Sequence, residues 1–193
     1  MFINRIVSRV AAQLAALTPV TAEAHCDTAG GPAVTDGRKA LQSGNVNYAL
    51  KWIPADGEAE LRGIFAQALT VRTLGPDAAD LADRLFLETL VRIHRMGEGV
   101  GFTGIQPVGT AIDPVVVAAD EAIALNSDAH LLPLAPAERR AELALRFQAA
   151  LALKDFDVDD VAAGRRYLAA YVDFFTYAEG EEHEHAAPAG HQH

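Results

Sequence analysis

His25, Cys26 and Asp27 put the densest set of metal-ligating groups in the chain into three consecutive residues, and Cys26 is the only cysteine. Ala22-Glu23-Ala24 stands directly before them. That small-x-small pattern is what a signal peptidase cuts after. A cut there makes His25 a free N-terminus and Cys26 residue two. The α-amine, the Cys26 amide nitrogen and the Cys26 thiolate would then close two fused five-membered rings on one ion, with the His25 imidazole binding from the side. A near-planar N,N,S set suits Cu(II) or Ni(II), which favour tetragonal geometry; Zn(II) prefers a tetrahedron. Metal binding would draw off the protons of both the amine and the thiol. The competing reading is a buried cysteine near a free chain end, with no ligand role.

Two further groups of residues bear on that chemistry. His94 and Glu98 are four apart, hence on one face if their helix lasts that long. They stand before the glycine-rich run Gly97-Glu98-Gly99-Val100-Gly101-Phe102-Thr103-Gly104. Read functionally, they add metal ligands, with His94 as a candidate proton donor; no other catalytic residue is assigned. Read structurally, His94 bonds a carbonyl at a helix end and a glycine closes the helix. The glycine run is no phosphate cradle, because it follows a helix and lacks Gly-Lys-Ser/Thr. The tail holds His183, His185, His191 and His193, four of the seven histidines. Such a tract binds Zn, Cu or Ni weakly, or is simply a solvated tail. His130 reads as a capping or surface residue, no serine sits in a nucleophile turn, and the lack of Cys-x-x-Cys-His rules out covalent c-type haem.

The elements that must hold these residues are helical. Ala and Leu dominate, and apolar residues recur at spacings of three and four over Glu58–Leu74, Asp77–Met96, Pro136–Leu153 and Asp159–Ala178. The second of these predicts Leu81, Leu85, Leu90, Val91 and Ile93 on one apolar face. The last carries Tyr167, Tyr171, Phe174 and Phe175, an aromatic stripe expected in the core. Asp56, Asp77 and Asp159 suit helix starts. Shifted by 82 residues, the chain matches itself without a gap: Pro32, Val34, Leu61, Phe65, Ala68 and Arg84 meet Pro114, Val116, Leu143, Phe147, Ala150 and Arg166. The expected fold is an all-α duplicated helical bundle of two units of about 80 residues, pseudo-twofold, with repeats 28–97 and 110–179. Chance matching in an Ala-rich chain is the alternative. His25-Cys26-Asp27 falls opposite Pro107-Val108-Gly109 and His94 opposite Thr176, so the motifs that could do chemistry belong to one copy only.

Residues 1–24 read as a signal peptide, with Arg5 and Arg9 before the short apolar run Val10–Val20; an amphipathic N-terminal helix is the alternative. Residues 25–180 form the expected single domain and 181–193 a disordered tail. The expected location is the periplasm or the exterior. The formal charge of −10 argues against nucleic acid and against an anionic membrane as partners after processing. In an oxidising compartment a lone thiol must be buried, metal-bound or paired with another chain, so a homo-oligomer stays open.

The His-Cys-Asp start resembles the metal hook of nickel superoxide dismutases. Those are small helical bundles that hold nickel through the N-terminal amine, the second residue's amide and thiolate, the first residue's imidazole and a second cysteine four residues on. That last position here is Gly30. The resemblance therefore implies one thiolate, better matched to copper, with dismutation as the most concrete activity. The wider pattern Ala-His-Cys-Asp-Thr…Gly-Pro with Val91-Arg92-Ile93-His94-Arg95-x-Gly97-Glu98-Gly99 resembles an uncharacterised family of exported bacterial helical proteins. The leading expectation is an exported copper or nickel protein of superoxide dismutase-like activity. A non-catalytic periplasmic metal buffer or chaperone and a metal-free helical interaction domain are the alternatives.

Overall fold

Prolines, acidic residues and left-handed caps delimit the helices in the computed structural model, which describes residues 25–180. The expected signal segment 1–24 and the tail histidines His183, His185, His191 and His193 lie outside the described residues. α1 (Pro32–Ser43) and α5 (Pro114–Leu125) begin with proline at the first helical position, where no intrahelical N–H is needed. Each closes on a left-handed residue, Gly44 and Asn126 respectively. A short α2 (Asn47–Leu50) leads through a 3-10 turn to α3 (Glu58–Val71), whose first turn carries Glu58 and Glu60 against the helix dipole. α4 (Pro76–Gly97) has Asp77 in its first turn and His94 and Arg95 in its last. α6 (Arg140–Lys154) and α7 (Val161–Glu179) complete the chain. The Asp160 carboxylate caps α7 by accepting from the Ala163 N–H at 2.8 Å. Asp159, expected at that start, instead accepts from the side-chain amides of Asn45 and Asn47.

The fold is all-α, as expected: the described residues hold no strand, and Thr28 and Gln106 form an isolated parallel bridge. No helix among them is long and apolar enough to cross a membrane. α3 packs on α4 and α6 on α7 as antiparallel pairs, with α1 laid on α4 and α5 on α7. Element bounds recur at the sequence offset. α1 and α5 start and end 82 residues apart, the turns Ala55–Gly57 and Ala137–Arg139 do likewise, and so do the starts of α3 and α6 and the ends of α4 and α7. Val34 and Val116, Leu61 and Leu143, Phe65 and Phe147 are buried at equivalent places. Burying a large apolar side chain is worth about 1.5–3 kcal/mol, so these matched positions anchor each set of helices.

Two apolar positions on α4 depart from expectation. Leu81 and Leu85 are 69% and 51% exposed. The inward face is Ala82, Phe86, Leu90 and Ile93, because α4 lies against both α1 and α3 and turns that stripe toward them. At the α1–α4 crossing, a Cβ on Gly37 would sit 2.6 Å from Leu87 Cδ2 and 2.8 Å from Leu90 Cδ2, so glycine lets the helices come this close without displacing those methyls. The halves meet where the α7 residue Arg165 donates to the carbonyls of Leu50 and Ile53 and pairs with Glu58 at 2.7 Å.

Candidate functional site

The segment from His25 to Gly31 is folded into a tight turn and fastened to the rest of the protein at several points. The His25 carbonyl accepts from both the backbone N–H and the hydroxyl of Thr28, each at 3.1 Å. Gly31 is pressed against the turn so closely that a Cβ there would lie 2.3 Å from the His25 carbonyl oxygen and 2.9 Å from that of Cys26. The Gln106 N–H donates to the Asp27 carbonyl at 3.0 Å, and the Ala29 N–H donates to the Gln106 carbonyl at 2.8 Å. This joins the hook to the loop between α4 and α5. The Asp27 carboxylate pairs with Arg95 of α4 at 2.9 Å.

His25 is 5% exposed, and its two ring nitrogens have different surroundings. Nε2 lies 2.5 Å from Asp120 Oδ2 on α5, while the Tyr171 hydroxyl of α7 donates to Asp120 Oδ1 at 2.5 Å. Nδ1 is buried and meets no hydrogen-bond partner. The ring stacks on Phe175 with centroids 5.8 Å apart. Burial lowers the His25 pKa and the Asp120 charge pulls it back; burial raises the Asp120 carboxyl, against the Tyr171 bond and His25. We assign the neutral imidazole that donates from Nε2–H to a carboxylate. An imidazolium would bury an Nδ1–H with no acceptor, at a cost of about 1–3 kcal/mol. The Nδ1 lone pair is therefore left unprotonated, the state a metal ligand needs.

Cys26 is equally buried, and burial pushes its thiol far above its ordinary range, helped by the charges of Glu98, Asp27 and Asp120 against Arg95. Without a metal it is a protonated, inert thiol. Burial likewise raises Asp27 to about 7, with Arg95 opposing and Glu98 adding to the rise. Tyr171 is held well above the ordinary phenol value by burial first and by Asp120 next.

His94 bonds a carbonyl, but one from another element. Its Nδ1 lies 2.8 Å from the Trp52 carbonyl, its ring stands edge-on to Trp52, and its Nε2 is 3.3 Å from Glu98 Oε1. The i,i+4 pairing expected of His94 and Glu98 is present, and Glu98 also acts electrostatically on Cys26 and Asp27. The four candidate ligands His25, Cys26, His94 and Glu98 do not form a ready side-chain cage. Among the described residues no three His, Cys, Asp or Glu side chains are placed to hold a metal ion. An ion at the hook would need the backbone nitrogens as well as the side chains.

Two site residues were missed in the sequence, Asp120 and Tyr171. The 82-residue recurrence held a signal for one: Asp120 falls opposite Arg38, an exposed residue that donates to the Ala29 carbonyl. A carboxylate inside the apolar run Pro114–Leu125, opposite a base at that offset, breaks the match between the two segments. Beyond Asp120 and Tyr171 opens a cavity of about 680 Å³ between the two sets of helices.

Residues 30–177 match the model of a family of unknown function (DUF6448), and the chain belongs to that family. No curated protein and no solved structure matches it.

Proposed function

We propose that this member of a family of unknown function is an exported protein holding one copper or nickel ion at a processed N-terminus that begins at His25. The His25 amine and Nδ1, the Cys26 amide nitrogen and the Cys26 thiolate would be its ligands. One observation carries the reading: His25 Nδ1 is buried without a partner while Asp120 holds Nε2. A carboxylate on the far nitrogen of a ligating imidazole sets its tautomer and raises its basicity. An orphaned lone pair in a dry interior costs stability unless something binds it. The tight anchoring of residues 25–31 is what a chain starting at His25 requires, since it holds a new terminus in place.

Burial of both residues favours a resident ion over an exchanging one, so a centre suits the geometry better than a buffer. The activity to test is superoxide dismutation, in which one superoxide gives up an electron and a second takes it up with two protons. The 82-residue recurrence is read as duplication of one helical unit, with the hook added to the first copy.

Intact mass of the exported protein comes first: a start other than His25 removes the amine ligand and ends the proposal. Metal analysis of the processed chain and its Cys26→Ser variant comes second. One equivalent of copper or nickel in the parent and a large loss in the variant are expected; equal content in both refutes the thiolate ligand. Dismutation no faster than free metal would leave a non-catalytic centre.

A further inference from the structure

The chain has only three lysines, Lys39, Lys51 and Lys154, and all three line the cavity between the two sets of helices. Each of the thirteen other basic residues is arginine, and no arginine lines that cavity. Lysine differs from arginine in carrying a compact point charge. Their placement concentrates positive charge in one recess of a protein whose formal charge is −10.

The charges there are not balanced. Lys51 and Lys39 both approach one carboxylate, Asp36, at 2.9 and 3.3 Å, and Asp36 Oδ2 also accepts from the Trp52 indole N–H at 3.0 Å. Lys154 is held by neutral oxygens, the Ile123 carbonyl at 2.5 Å and the Asn126 side chain at 2.8 Å. The remaining acid in the lining, Asp120, is engaged by His25 and Tyr171. Three ammonium groups thus face two carboxylates, a net of one positive charge.

Five aromatic residues share the wall with smaller and aliphatic side chains: Tyr48, Trp52, Phe156, Tyr167 and Tyr171. Phe156, Tyr167 and Tyr171 form a run of neighbouring rings with centroids 5.6 and 6.0 Å apart. Lys51 lies 5.1 Å from the centroid of Phe156. Gly164 on α7 makes room for this wall, since a Cβ there would stand 3.0 Å from Phe156 and 3.1 Å from Lys51. A largely preformed recess of this size with a few convergent polar groups is what small-molecule sites have in common.

We propose that this cavity binds a small organic monoanion carrying a flat ring. The ring lies among the aromatic side chains, and the anionic group meets the lysines and cancels the excess charge. The inference does not depend on a metal at the hook.

Trp52, the only tryptophan, lines the cavity and reports its occupancy by fluorescence. The full chain is titrated with benzoate, with neutral benzamide and with inorganic phosphate, and calorimetry checks each stoichiometry. Benzoate is expected to saturate at one equivalent and to bind at least about tenfold more tightly than either comparison probe. Lys154→Gln, which keeps a hydrogen-bond donor, should weaken benzoate about tenfold and leave benzamide unchanged. Lys39→Gln, at an exposed side chain, serves the same purpose if the first variant does not fold. No saturable benzoate binding, equal affinity for benzoate and benzamide, or indifference of benzoate to both substitutions overturns the proposal. Phosphate binding as tightly as benzoate overturns the ring requirement.

Discussion

Asp120→Asn tests the hook by a change of one atom. Asp120 accepts two hydrogen bonds at 2.5 Å, one on each oxygen. The asparagine carbonyl can keep the Tyr171 bond, which leaves the amide NH2 facing His25 Nε2. Either two donors then face each other, or the imidazole changes tautomer and buries an unpaired Nδ1–H where the lone pair stood. Each outcome strands a buried donor, at about 1–3 kcal/mol, and forfeits a bond to a charged group. A net loss of about 2 kcal/mol lowers the melting temperature by roughly 4–8 °C in a chain of this size. Nitrogen-15 NMR of the imidazole reads the tautomer: Nδ1 is expected unprotonated in the parent and protonated in the variant. Copper or nickel affinity, measured by competition with a chelator, should fall about 10–100-fold, as for loss of other outer carboxylates behind ligating histidines. If the variant keeps an unprotonated Nδ1 and its metal affinity stays within about twofold, Asp120 does not set the state of His25 and the reasoning fails.

Three more outcomes follow from the same region. Gly31→Ala should destabilise the protein by about 1–3 kcal/mol, because its Cβ would overlap two backbone oxygens that have no rotamer to escape into; Gly30→Ala, with nothing within 4 Å, is the control and should melt with the parent. The Cys26 thiol of the metal-free folded chain should resist iodoacetamide at pH ~8 and react at once in denaturant; prompt alkylation of the folded chain would contradict its burial. Asp27, whose folded pKa is raised to about 7, contributes stability that is complete below its unfolded value of about 4 and is lost as pH rises through 7. The parent should therefore lose stability relative to Asp27→Asn between pH ~5 and ~8, and parallel pH profiles of the two melting temperatures would remove that linkage.

The four long helices were legible because their signals are local: the spacing of Leu61, Phe65 and Ala68 shows a buried face without reference to any partner. α1 and α5 were not assigned, although Pro32 and Pro114 at their starts and Gly44 and Asn126 at their ends are equally local signals. The inward side of α4 was less legible. Leu81 and Leu85 fit the helical period as well as Ala82 and Phe86 do, and only the position of α1 and α3 decides which stripe is covered. The aromatic stripe of α7 divides for the same reason. Tyr171, Phe174 and Phe175 are core as expected, while Tyr167 is only half-buried, and with Tyr171 it lines a cavity that exists only once the two sets of helices meet.

The site divides along the same line. His25, Cys26, His94 and Glu98 stood out because ligand type and short-range spacing are properties of adjacent residues. Sequence by itself thus determined the all-α class and the 82-residue recurrence, and it singled out the adjacent His25 and Cys26 as candidate ligands. Tertiary structure alone decided that Asp120, 95 positions away, meets His25 Nε2, that Nδ1 is left without a partner, and that three scattered lysines face one recess. Local backbone preference and periodicity act over a few residues and can be read from one strand of text. Hydrogen bonds and charge balance act over a few ångströms, and only the packing of the helices turns sequence distance into that kind of nearness.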